Sequence, residues 1–539
     1  MNAAQSPAAS SGAGKTAVVI GAGIAGLASG ALLAKDGWNV TILESRGEIG
    51  GRAGRWSAEG FTFDTGPSWF LMAEVFEHFY QLLGTSTEEQ LQLDRLDPAY
   101  KVFFQDGTDM QVHGDLERTF AEFERLEPGS SAALRRYLDS ASTTGRLAVE
   151  QFLYNPFAKL TSIGNKEIFA KFPTLAKLLL QPMNKFIAKH VRDPRLQQVL
   201  GYPAVFLGTS PYVAPSMYHL MSTFDMEEGV FYPQGGFAAF IDSVAKLARE
   251  AGAEIVLNSP VVSIKVDESG TAKGVIVRTK AGESEIRADL VVSGADRHHT
   301  ETKLIPKKFH GKRQKQWDKR TAGPSAVVAL LGIKGRVPEL PHHSLFFTSD
   351  WKGDFKDLYG NPGKLGDPAN FYVCAPSVTD DSVAPADHEN LFVLVPVPAD
   401  ESLGRGGTTN PDGTGGGDPR VEQITDSAIA TIAEWAGIPD LAERIVVRKT
   451  IGPADYAEQF NSWKASALGP SHILSQSAMF RGSTASPDVD GLVFAGATSV
   501  PGIGLPMCLI SAELVLKHSR GDRDAGRVPA PIRVRQAQP

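Results

Sequence analysis

The sequence predicts an α/β protein: a Rossmann-type domain assembled from separate segments, a second domain built on a mixed sheet, and a mainly helical region. Three observations carry this prediction. An apolar strand, a glycine-rich turn and an apolar helix follow one another at residues 16–36, and the same order returns at 491–518. Between them, residues 254–293 hold short β-branched runs separated by turns, a pattern typical of strands.

The composition narrows the class of protein. At roughly 100–200 residues per domain, a chain of 539 residues suggests two to four domains. A formal charge of −7 argues against a nucleic-acid partner, which a basic surface usually binds. The two cysteines, Cys374 and Cys508, are far apart and form no CxxC motif, which favours a reducing cytoplasm. No apolar run reaches the roughly 18 residues needed to cross a bilayer.

The first glycine-rich turn predicts a dinucleotide site. A strand at 16–20 leads into Gly21-Ala22-Gly23-Ile24-Ala25-Gly26 and a helix at 24–36, and a second strand at 38–43 ends in Glu44. Gly21 permits the tight turn, Gly23 lets a pyrophosphate approach the backbone, and Gly26 lets the helix lie close to the strand. The helix N-terminus offers free N–H groups to phosphates. Glu44 is predicted to accept hydrogen bonds from ribose hydroxyls, which argues for a free 2′-hydroxyl.

The rest of the chain alternates between helical and strand-like patterns. The predicted helices are Gln90–Leu96, Asp115–Leu138, Val421–Trp435 and Pro506–His518. The predicted strands include Val256, Val261–Val262, Ile264, Val275–Val277, Leu290–Val292, the zone Ser325–Pro398, and Leu492–Ala495. Residues 401–420 contain seven glycines and are predicted to form a flexible surface loop.

Several further segments carry a family resemblance. They are Glu44-Ser45-Arg46-Gly47-Glu48-Ile49-Gly50-Gly51-Arg52, continuing to Gly66-Pro67-Ser68; Glu228–Gly236, similar to a G-x-x-Y-P-x-G-G motif; Ala288–Asp296; and Gly496-Ala497 with Gly504-Leu505-Pro506-Met507. With the first turn, they resemble the bacterial-type phytoene desaturases, which belong to the amine-oxidase-like FAD flavoproteins. The likeness covers about residues 15–520.

The resemblance implies that FAD is the cofactor. A helix N-terminus near residue 505 would stabilise the negative charge that reduction places on the flavin. The implied cofactor-binding residues are Gly21, Gly23, Ile24, Ala25, Gly26, Glu44, Ser45, Arg46, Gly50, Gly51, Arg52, Gly66, Pro67, Ser68, Val262, Ala295, Asp296, Gly496, Ala497, Gly504, Leu505, Pro506 and Met507. Val262, Ala295 and Asp296 are expected near the adenosine half. Family members often carry a His-Pro pair in the last loop, where this chain has Thr498-Ser499-Val500-Pro501.

The implied activity is carotenoid desaturation, with phytoene converted to lycopene by successive two-hydrogen removals and hydride transfer to the flavin. The alternatives are a carotenoid isomerase or ketolase, an amine oxidase, or a non-catalytic FAD-bound lipid carrier. No catalytic residue is predicted, because a cofactor that carries the chemistry needs mainly positioning and exclusion of water. No metal site is predicted, since adjacent histidines such as His342 and His343 would point to opposite sides of a strand.

The substrate, a long apolar polyene, would reach the protein from a membrane. Residues 151–195 combine apolar side chains with eight basic residues and two acids, which suits an interfacial helix on anionic lipid. The apolar side chains are Phe152, Tyr154, Phe157, Phe169, Phe172, Leu178–Leu180 and Phe186, and the basic ones are Lys159, Lys166, Lys171, Lys177, Lys185, Lys189, Arg192 and Arg195. The alternative is a core helix with a solvated basic face.

These observations predict a domain plan. Residues 15–110, 228–302 and 484–520 form the FAD-binding domain, 111–227 a helical, membrane-associating region through which substrate enters, and 303–483 the substrate domain. Residues 1–14, rich in Ala, Ser and Gly and unlike a signal peptide, and 521–539 are predicted to be disordered tails. We expect a cytoplasmic protein bound peripherally to the inner face of the cell membrane, and the resemblance admits other carotenoid-pathway enzymes as partners.

Overall fold

The structure, a computed structural model, describes residues 14–157, 166–360, 365–410 and 414–533. The strands are β1 (Thr16–Ile20), β2 (Asn39–Leu43), β3 (Arg55–Ala58), β4 (Phe61–Asp64), β5 (Leu93–Arg95), β6 (Tyr100–Phe104), β7 (Asp109–Val112), β8 (Phe231–Pro233), β9 (Glu254–Val256), β10 (Val261–Val266), β11 (Ala272–Thr279), β12 (Gly282–Arg287), β13 (Leu290–Ser293), β14 (Ser325–Lys334), β15 (His343–Phe347), β16 (Phe371–Cys374), β17 (His388–Val397), β18 (Thr408–Thr409), β19 (Ile445–Ile451) and β20 (Leu492–Phe494).

Helices connect and cover these strands. They are α1 (Ile24–Lys35), α2 (Ala73–Leu83), α3 (Thr87–Gln90), α4 (Leu116–Leu126), α5 (Ser130–Ala148), α6 (Lys166–Leu180), α7 (Met183–Ile187), α8 (Pro194–Gly201), α9 (Gly236–Glu250), α10 (Arg297–His299), α11 (Lys307–Trp317), α12 (Trp351–Tyr359), α13 (Pro419–Trp435), α14 (Pro453–Phe460) and α15 (Leu505–Ser519). Short 3₁₀ and π turns join several of them.

The first sheet is parallel and has the order β20-β13-β1-β2-β9. Its central strands carry apolar side chains on both faces, as expected when helices cover a parallel sheet on both sides. Three of its strands, β1, β13 and β20, come from distant parts of the chain, and β13 pairs with both of the others. The discontinuous Rossmann-type sheet is therefore present, and it brings the two glycine-rich turns to the same edge.

The second sheet has the order β18-β19-β14-β17-β16-β15-β6-β7 and is mixed, because β15 pairs with β6 in parallel while its other pairs are antiparallel. Here the predicted boundaries differ from the structure. Residues 100–112, assigned to the first domain and the start of the helical region, form β6 and β7 of this sheet. The pairing of β6 with β15 spans more than 200 residues, so local pattern gives no signal for it.

Two local predictions in the strand-forming regions differ from the structure. The helix predicted at Gln90–Leu96 is wrong: α3 ends at Gln90, and Leu93–Arg95 form a strand that pairs with β8. Within the glycine-rich segment 401–420, Thr408 and Thr409 pair with β19 as a short strand. Residues 1–13, Lys159, 411–413 and 534–539 lie outside the described residues.

The segment 521–533, predicted as part of a disordered tail, lies against the core instead. Lys517 Nζ donates hydrogen bonds to the carbonyl oxygens of Asp524 and Gly526, and Ile532 N donates to Leu82 O over 2.9 Å. Val528 and Ile532 are buried. These two apolar residues help to attach the Pro/Arg-rich segment, and its overall composition gives no sign of them. Among the described residues no helix has the length and apolar character needed to cross a membrane.

Candidate active site

The first glycine-rich turn is fixed by backbone contacts. Gly21 has φ +92°, and its N–H donates to Leu43 O over 2.7 Å, which ties the turn to the end of β2. A Cβ on Gly26 would collide with the carbonyl oxygen of Gly21, so this position requires glycine for close packing. A Cβ on Gly23 would approach other protein atoms no closer than 3.9 Å, and its open side faces a cavity. The turn thus leaves room for a ligand at Gly23 and none at Gly26.

Glu44 holds this turn from the adjacent strand. Its carboxylate is buried; Oε2 accepts from Ala22 N over 2.8 Å, and Oε1 accepts from Arg46 N over 2.9 Å. The side chain of Glu44 also lines the cavity. The carboxylate therefore organises two loops, a role that the sequence did not predict. The predicted contact with ribose hydroxyls stays a prediction.

The second glycine pair packs directly on the first turn. Gly50 N donates to Ala22 O over 2.9 Å, and a Cβ on Gly51 would lie 3.2 Å from Gly23 Cα. Arg52 follows, and its Nη2 donates to Ser462 Oγ over 2.6 Å. Its Nε is buried and has no hydrogen-bond partner among the described residues. A buried guanidinium N–H without an acceptor, in a cavity wall, fits an anionic ligand such as a pyrophosphate.

The second strand–turn–helix unit meets the first across the cavity. Gly496 has φ +106°, and its N–H donates to Ser511 Oγ over 3.0 Å. A Cβ on Gly496 would lie 3.3 Å from Ala25 Cβ, so the two turns are in close contact. Neither α1 nor α15 carries an acidic residue in its first turn, and Pro506 stands at the start of α15. Two helix N-termini therefore present uncompensated positive ends to one cavity.

All but two of the predicted cofactor residues line this single cavity. The exceptions are Gly26, whose role is packing, and Val262. On β10 the neighbouring Val261 lines the cavity and Val262 does not, because successive strand residues point to opposite faces. Asp296 lines the cavity, but its Oδ1 accepts from His298 N over 2.9 Å, so the carboxylate also caps α10. The arrangement fits an adenine dinucleotide stretched between the two turns.

The cavity continues far beyond these residues. Its volume is about 1350 Å³, compared with roughly 300–1,000 Å³ for ordinary ligand pockets. The extension is lined mainly by aliphatic and aromatic side chains, among them Leu147, Phe152, Val205, Phe206, Leu220, Met221 and Phe224. Four apolar residues of the cavity wall are also solvent-exposed: Leu179, Leu180, Leu474 and Phe480. We call these four residues the mouth.

The sequence missed three groups in the cavity wall. Tyr456, Phe460 and Asn461 lie in or after α14, and Arg46 lies over the Phe460 ring at 5.1 Å. Trp69 directly follows the Gly66–Ser68 motif and stacks on His343 with a centroid separation of 4.4 Å. No spacing in the sequence marks the first group, whereas the position of Trp69 beside the motif was a usable signal.

The third missed group is a single residue, His472, which lies beside the last loop. A Cβ on Gly502 would collide with its Nε2, and its Nδ1 bonds to the carbonyl oxygen of Leu207 over 3.0 Å, so Nδ1 carries the hydrogen. Burial holds the pKa of His472 well below its usual value. Although Thr498–Pro501 contains no histidine, a neutral imidazole from another segment reaches this loop.

The adjacent histidines behave differently from the sequence prediction. His342 precedes β15, so the alternation expected of strand residues fails, and the two rings lie 4.6 Å apart in a T-shaped contact. With Cys374 they form a buried cluster whose nitrogen and sulfur atoms lie within 4.8 Å of one another. Ligand atoms around a zinc ion lie about 3.5 Å apart, given bonds of about 2.0–2.3 Å. The expectation that His342 and His343 point to opposite sides of a strand was therefore wrong, and the absence of a bound metal here stays a prediction.

The structure places the residues of the predicted membrane-associating segment, 151–195, in different environments. Tyr154 and Leu178 are buried, and Phe186 packs on Tyr137 and His190, so these residues belong to the interior. Leu179 and Leu180 are exposed. The side chains of Phe169, Phe172, Lys166 and Lys171 lie outside the part that the structure describes.

Comparison with known proteins identifies relatives of this chain. Residues 24–515 match the family described as flavin containing amine oxidoreductase. A carotenoid 3,4-desaturase from Haloarcula japonica is 37% identical over 93% of this chain and 97% of its own length. A zeta-carotene-forming phytoene desaturase from Myxococcus xanthus is 35% identical over 94% of each chain.

A solved structure supports the fold. The crystal structure of an oxidoreductase from Methanosarcina mazei superposes with a TM-score of 0.60 at 15% identity, covering 93% of this chain and all of the other. At this identity the likeness concerns the fold alone. The family match spans both glycine-rich turns of the cavity, and the relatives extend over nearly the whole chain. The protein therefore belongs to the flavin-containing amine oxidoreductases and, within them, to the carotenoid desaturase family.

Proposed function

We propose that this protein is an FAD-dependent carotenoid desaturase that converts phytoene to lycopene by successive removals of two hydrogens. The observation that carries the proposal is the continuity of one cavity. Its first part is built from the two glycine-rich turns, and its second part from apolar side chains that reach the surface at the mouth. A cofactor and a long hydrocarbon could therefore meet inside the same enclosed space.

The residues of the first part have separate tasks. The N–H groups at the start of α1 and the free Nε of Arg52 would bind the pyrophosphate, and Glu44 would hold the ribose. The start of α15 would lie near the flavin ring. When bound, FAD supplies the oxidising chemistry, because it accepts a hydride from a saturated carbon next to the conjugated segment.

The second part would position the substrate and exclude water. Apolar walls give a hydrocarbon no hydrogen bond, so the fit depends on shape and on the area removed from water. Burying apolar surface contributes about 25 cal/mol per Å², which makes a long polyene a strongly bound ligand. An amine, in contrast, would need an accessible carboxylate or an aromatic cage for its charge.

We also propose that the mouth contacts a membrane on the cytoplasmic face, where other carotenoid-pathway enzymes would supply the substrate. Leu180 is 76% exposed and Phe480 is 60% exposed, although such side chains are usually buried. Lys177, Lys185 and Lys189, which are close to Leu180 in the sequence, are also exposed. Apolar side chains flanked by basic ones suit binding to anionic lipid.

The activity is tested by expression in cells that accumulate colourless phytoene. Conversion to lycopene gives a red product, which chromatography identifies. Unchanged phytoene with bound, reducible flavin would contradict desaturation of this substrate and favour an amine oxidase over a non-catalytic lipid carrier. A product with altered double-bond geometry or a new carbonyl group would instead indicate an isomerase or a ketolase.

The membrane proposal is tested by flotation with vesicles. Replacing both Leu180 and Phe480 by Glu removes two side chains worth about 1.5–3 kcal/mol each when buried, so binding should fall by roughly 100-fold or more. Val378→Glu is the control, because Val378 is 46% exposed but lies away from the cavity. Equal binding of all three proteins to vesicles of phosphatidylcholine and phosphatidylglycerol would contradict the proposal.

A further inference from the structure

A buried carboxyl group lies directly behind the wall of the cavity. Asp225 belongs to a single π-helical turn, Thr223–Glu227, and is 1% exposed. Its Oδ2 accepts hydrogen bonds from the hydroxyl groups of Tyr202, at 2.9 Å, and Tyr100, at 3.2 Å. Its Oδ1 is buried and accepts no hydrogen bond of good geometry from the described residues. One oxygen of this carboxyl group is therefore open to a proton.

Tyr202 connects this carboxyl group to the cavity. Tyr202 lines the cavity, whereas Tyr100 and Asp225 do not. The Tyr202 ring lies 6.1 Å from Trp69, which directly follows the Gly66–Ser68 segment of the cofactor half. It also lies 5.5 Å from Phe206 on the apolar side. Tyr202 thus stands where the cofactor part of the cavity meets the substrate part.

The surroundings of Asp225 allow its charge to change near neutral pH. Burial raises the pKa of Asp225 to about 7, although the two hydroxyl groups and nearby backbone N–H groups act in the opposite direction. Burial, reinforced by the charge of Asp225, holds the pKa values of Tyr202 and Tyr100 well above their usual value. Tyr137, on α5, also faces the cluster, and burial raises its pKa. The phenols keep their protons while the carboxyl group can gain or lose one.

We propose that Tyr202 and Asp225 together accept the proton released during the desaturation proposed above, on which this inference rests. One carbon of the substrate gives up a hydride, which is the hydrogen with both electrons of its carbon–hydrogen bond. This hydride would go to bound FAD, as the proposed activity requires. At the neighbouring carbon the carbon–hydrogen bond breaks, and its electron pair forms the new double bond. The proton passes to Tyr202 Oη while the hydroxyl proton of Tyr202 moves to Asp225 Oδ2. Proton loss from Asp225 to water completes the cycle.

The geometry distinguishes Tyr202 from two other tyrosines of the wall, Tyr218 and Tyr372. Tyr218 also lines the cavity, but no carboxylate accepts a hydrogen bond from it among the described residues. A proton given to Tyr218 would have no nearby base to receive the phenol's own proton. Tyr372 lines the cavity too, and its hydroxyl bonds to Ser68 and His343. Of these three tyrosines, Tyr202 has the direct link to a buried acid.

The test uses the FAD-loaded enzyme and three variants: Tyr202→Phe, Asp225→Asn and, as the matched control, Tyr218→Phe. General-base groups contribute about 10²–10⁴-fold, so the first two variants should lose at least 100-fold in kcat while retaining FAD. The wild-type rate should rise with pH through an inflection near 7, because only the carboxylate accepts a proton; Asp225→Asn should abolish that inflection. Tyr218→Phe should keep the inflection near 7, whatever its effect on the rate.

A second measurement does not depend on turnover. Infrared difference spectra of the protein between acidic and basic pH should show a buried carboxyl band that disappears in Asp225→Asn and persists in Tyr218→Phe. A Tyr202→Phe enzyme that folds, binds FAD and desaturates phytoene at the wild-type rate with the same pH profile would overturn this inference and leave the proposed function intact. Wild-type enzyme without activity on any carotene would overturn both.

Discussion

Two glycines of the first turn should respond in opposite ways to the same added methyl group. Gly23 has φ −71° and ψ 171°, a conformation open to any residue, and a Cβ there would keep 3.9 Å from Gly50 O and Gly51 Cα. Gly26 faces the carbonyl oxygen of Gly21, where a Cβ would collide. Ala at Gly23 therefore intrudes only into the cavity, whereas Ala at Gly26 intrudes into the protein.

The magnitudes follow from these contacts. In Gly23→Ala the added methyl group would push a phosphate away from the start of α1. The phosphate would then lose about two charge-assisted hydrogen bonds, each worth about 1.5–3 kcal/mol. Even a net loss of about 3 kcal/mol weakens FAD binding roughly 100-fold. The fold should lose at most a few tenths of a kcal/mol, the difference between Gly and Ala near a helix N-cap. Gly26→Ala should instead destabilise the protein by about 1–3 kcal/mol, as overpacked sites do.

The assay separates binding from folding. FAD is titrated into the apoproteins and its fluorescence quenching gives Kd, while thermal unfolding of the same apoproteins gives their stability. We expect Gly23→Ala to unfold at the same temperature as the wild type and to bind FAD weakly. We expect Gly26→Ala to unfold at a lower temperature. The reasoning is refuted if Gly23→Ala binds FAD within about threefold of the wild type, or if both variants lose the same stability.

Two further predictions concern the frame around the cavity. Glu301→Gln should lower the free energy of unfolding by about 3–5 kcal/mol. The reason is that the buried guanidinium of Arg297, which lies 3.0 Å from Glu301, loses its charge partner. Denaturant titration measures this loss, and an unchanged midpoint would contradict the prediction. Lys517→Met should speed proteolysis within residues 521–533, since Lys517 Nζ bonds to the carbonyl oxygens of Asp524 and Gly526; cleavage at the wild-type rate would show that Val528 and Ile532 suffice.

The parts of the site that the sequence could predict are those held by neighbouring residues. The turn at Gly21–Gly26 needs a left-handed glycine, an open face and a close helix–strand contact, all within six residues, and each need selects glycine. The last turn repeats this logic at Gly496 and Gly504, whose φ angles are +106° and +110°. Strand and helix boundaries there agree to within about a residue because local sterics decide them.

The parts that the sequence could not predict depend on distant pairs. Tyr100 is on a strand of the second sheet, Tyr202 on a 3₁₀ turn and Asp225 on a π turn, yet their oxygens meet. Tyr100 and Asp225 are 125 positions apart, and no local periodicity links residues at such a separation. The same limit explains why β6 was assigned to the wrong domain, and why Val261 rather than Val262 faces the cavity, since a one-residue shift in a strand reverses the face.

The apolar part of the cavity also decides between the substrates that this fold accommodates. A cationic amine bound through a carboxylate would need one that is accessible from the cavity, and two acids lie near its apolar wall. Asp225 lies behind Tyr202, and Asp354, which does line the wall, already accepts hydrogen bonds from Thr348 and Asn370. Burial raises the pKa of Asp354 and so weakens it further as a cation partner. A wall that shields its charges in this way favours an uncharged hydrocarbon. Because the wall can match such a substrate only by shape and length, substitutions in the wall should change which carotene is accepted without altering the FAD-binding turns.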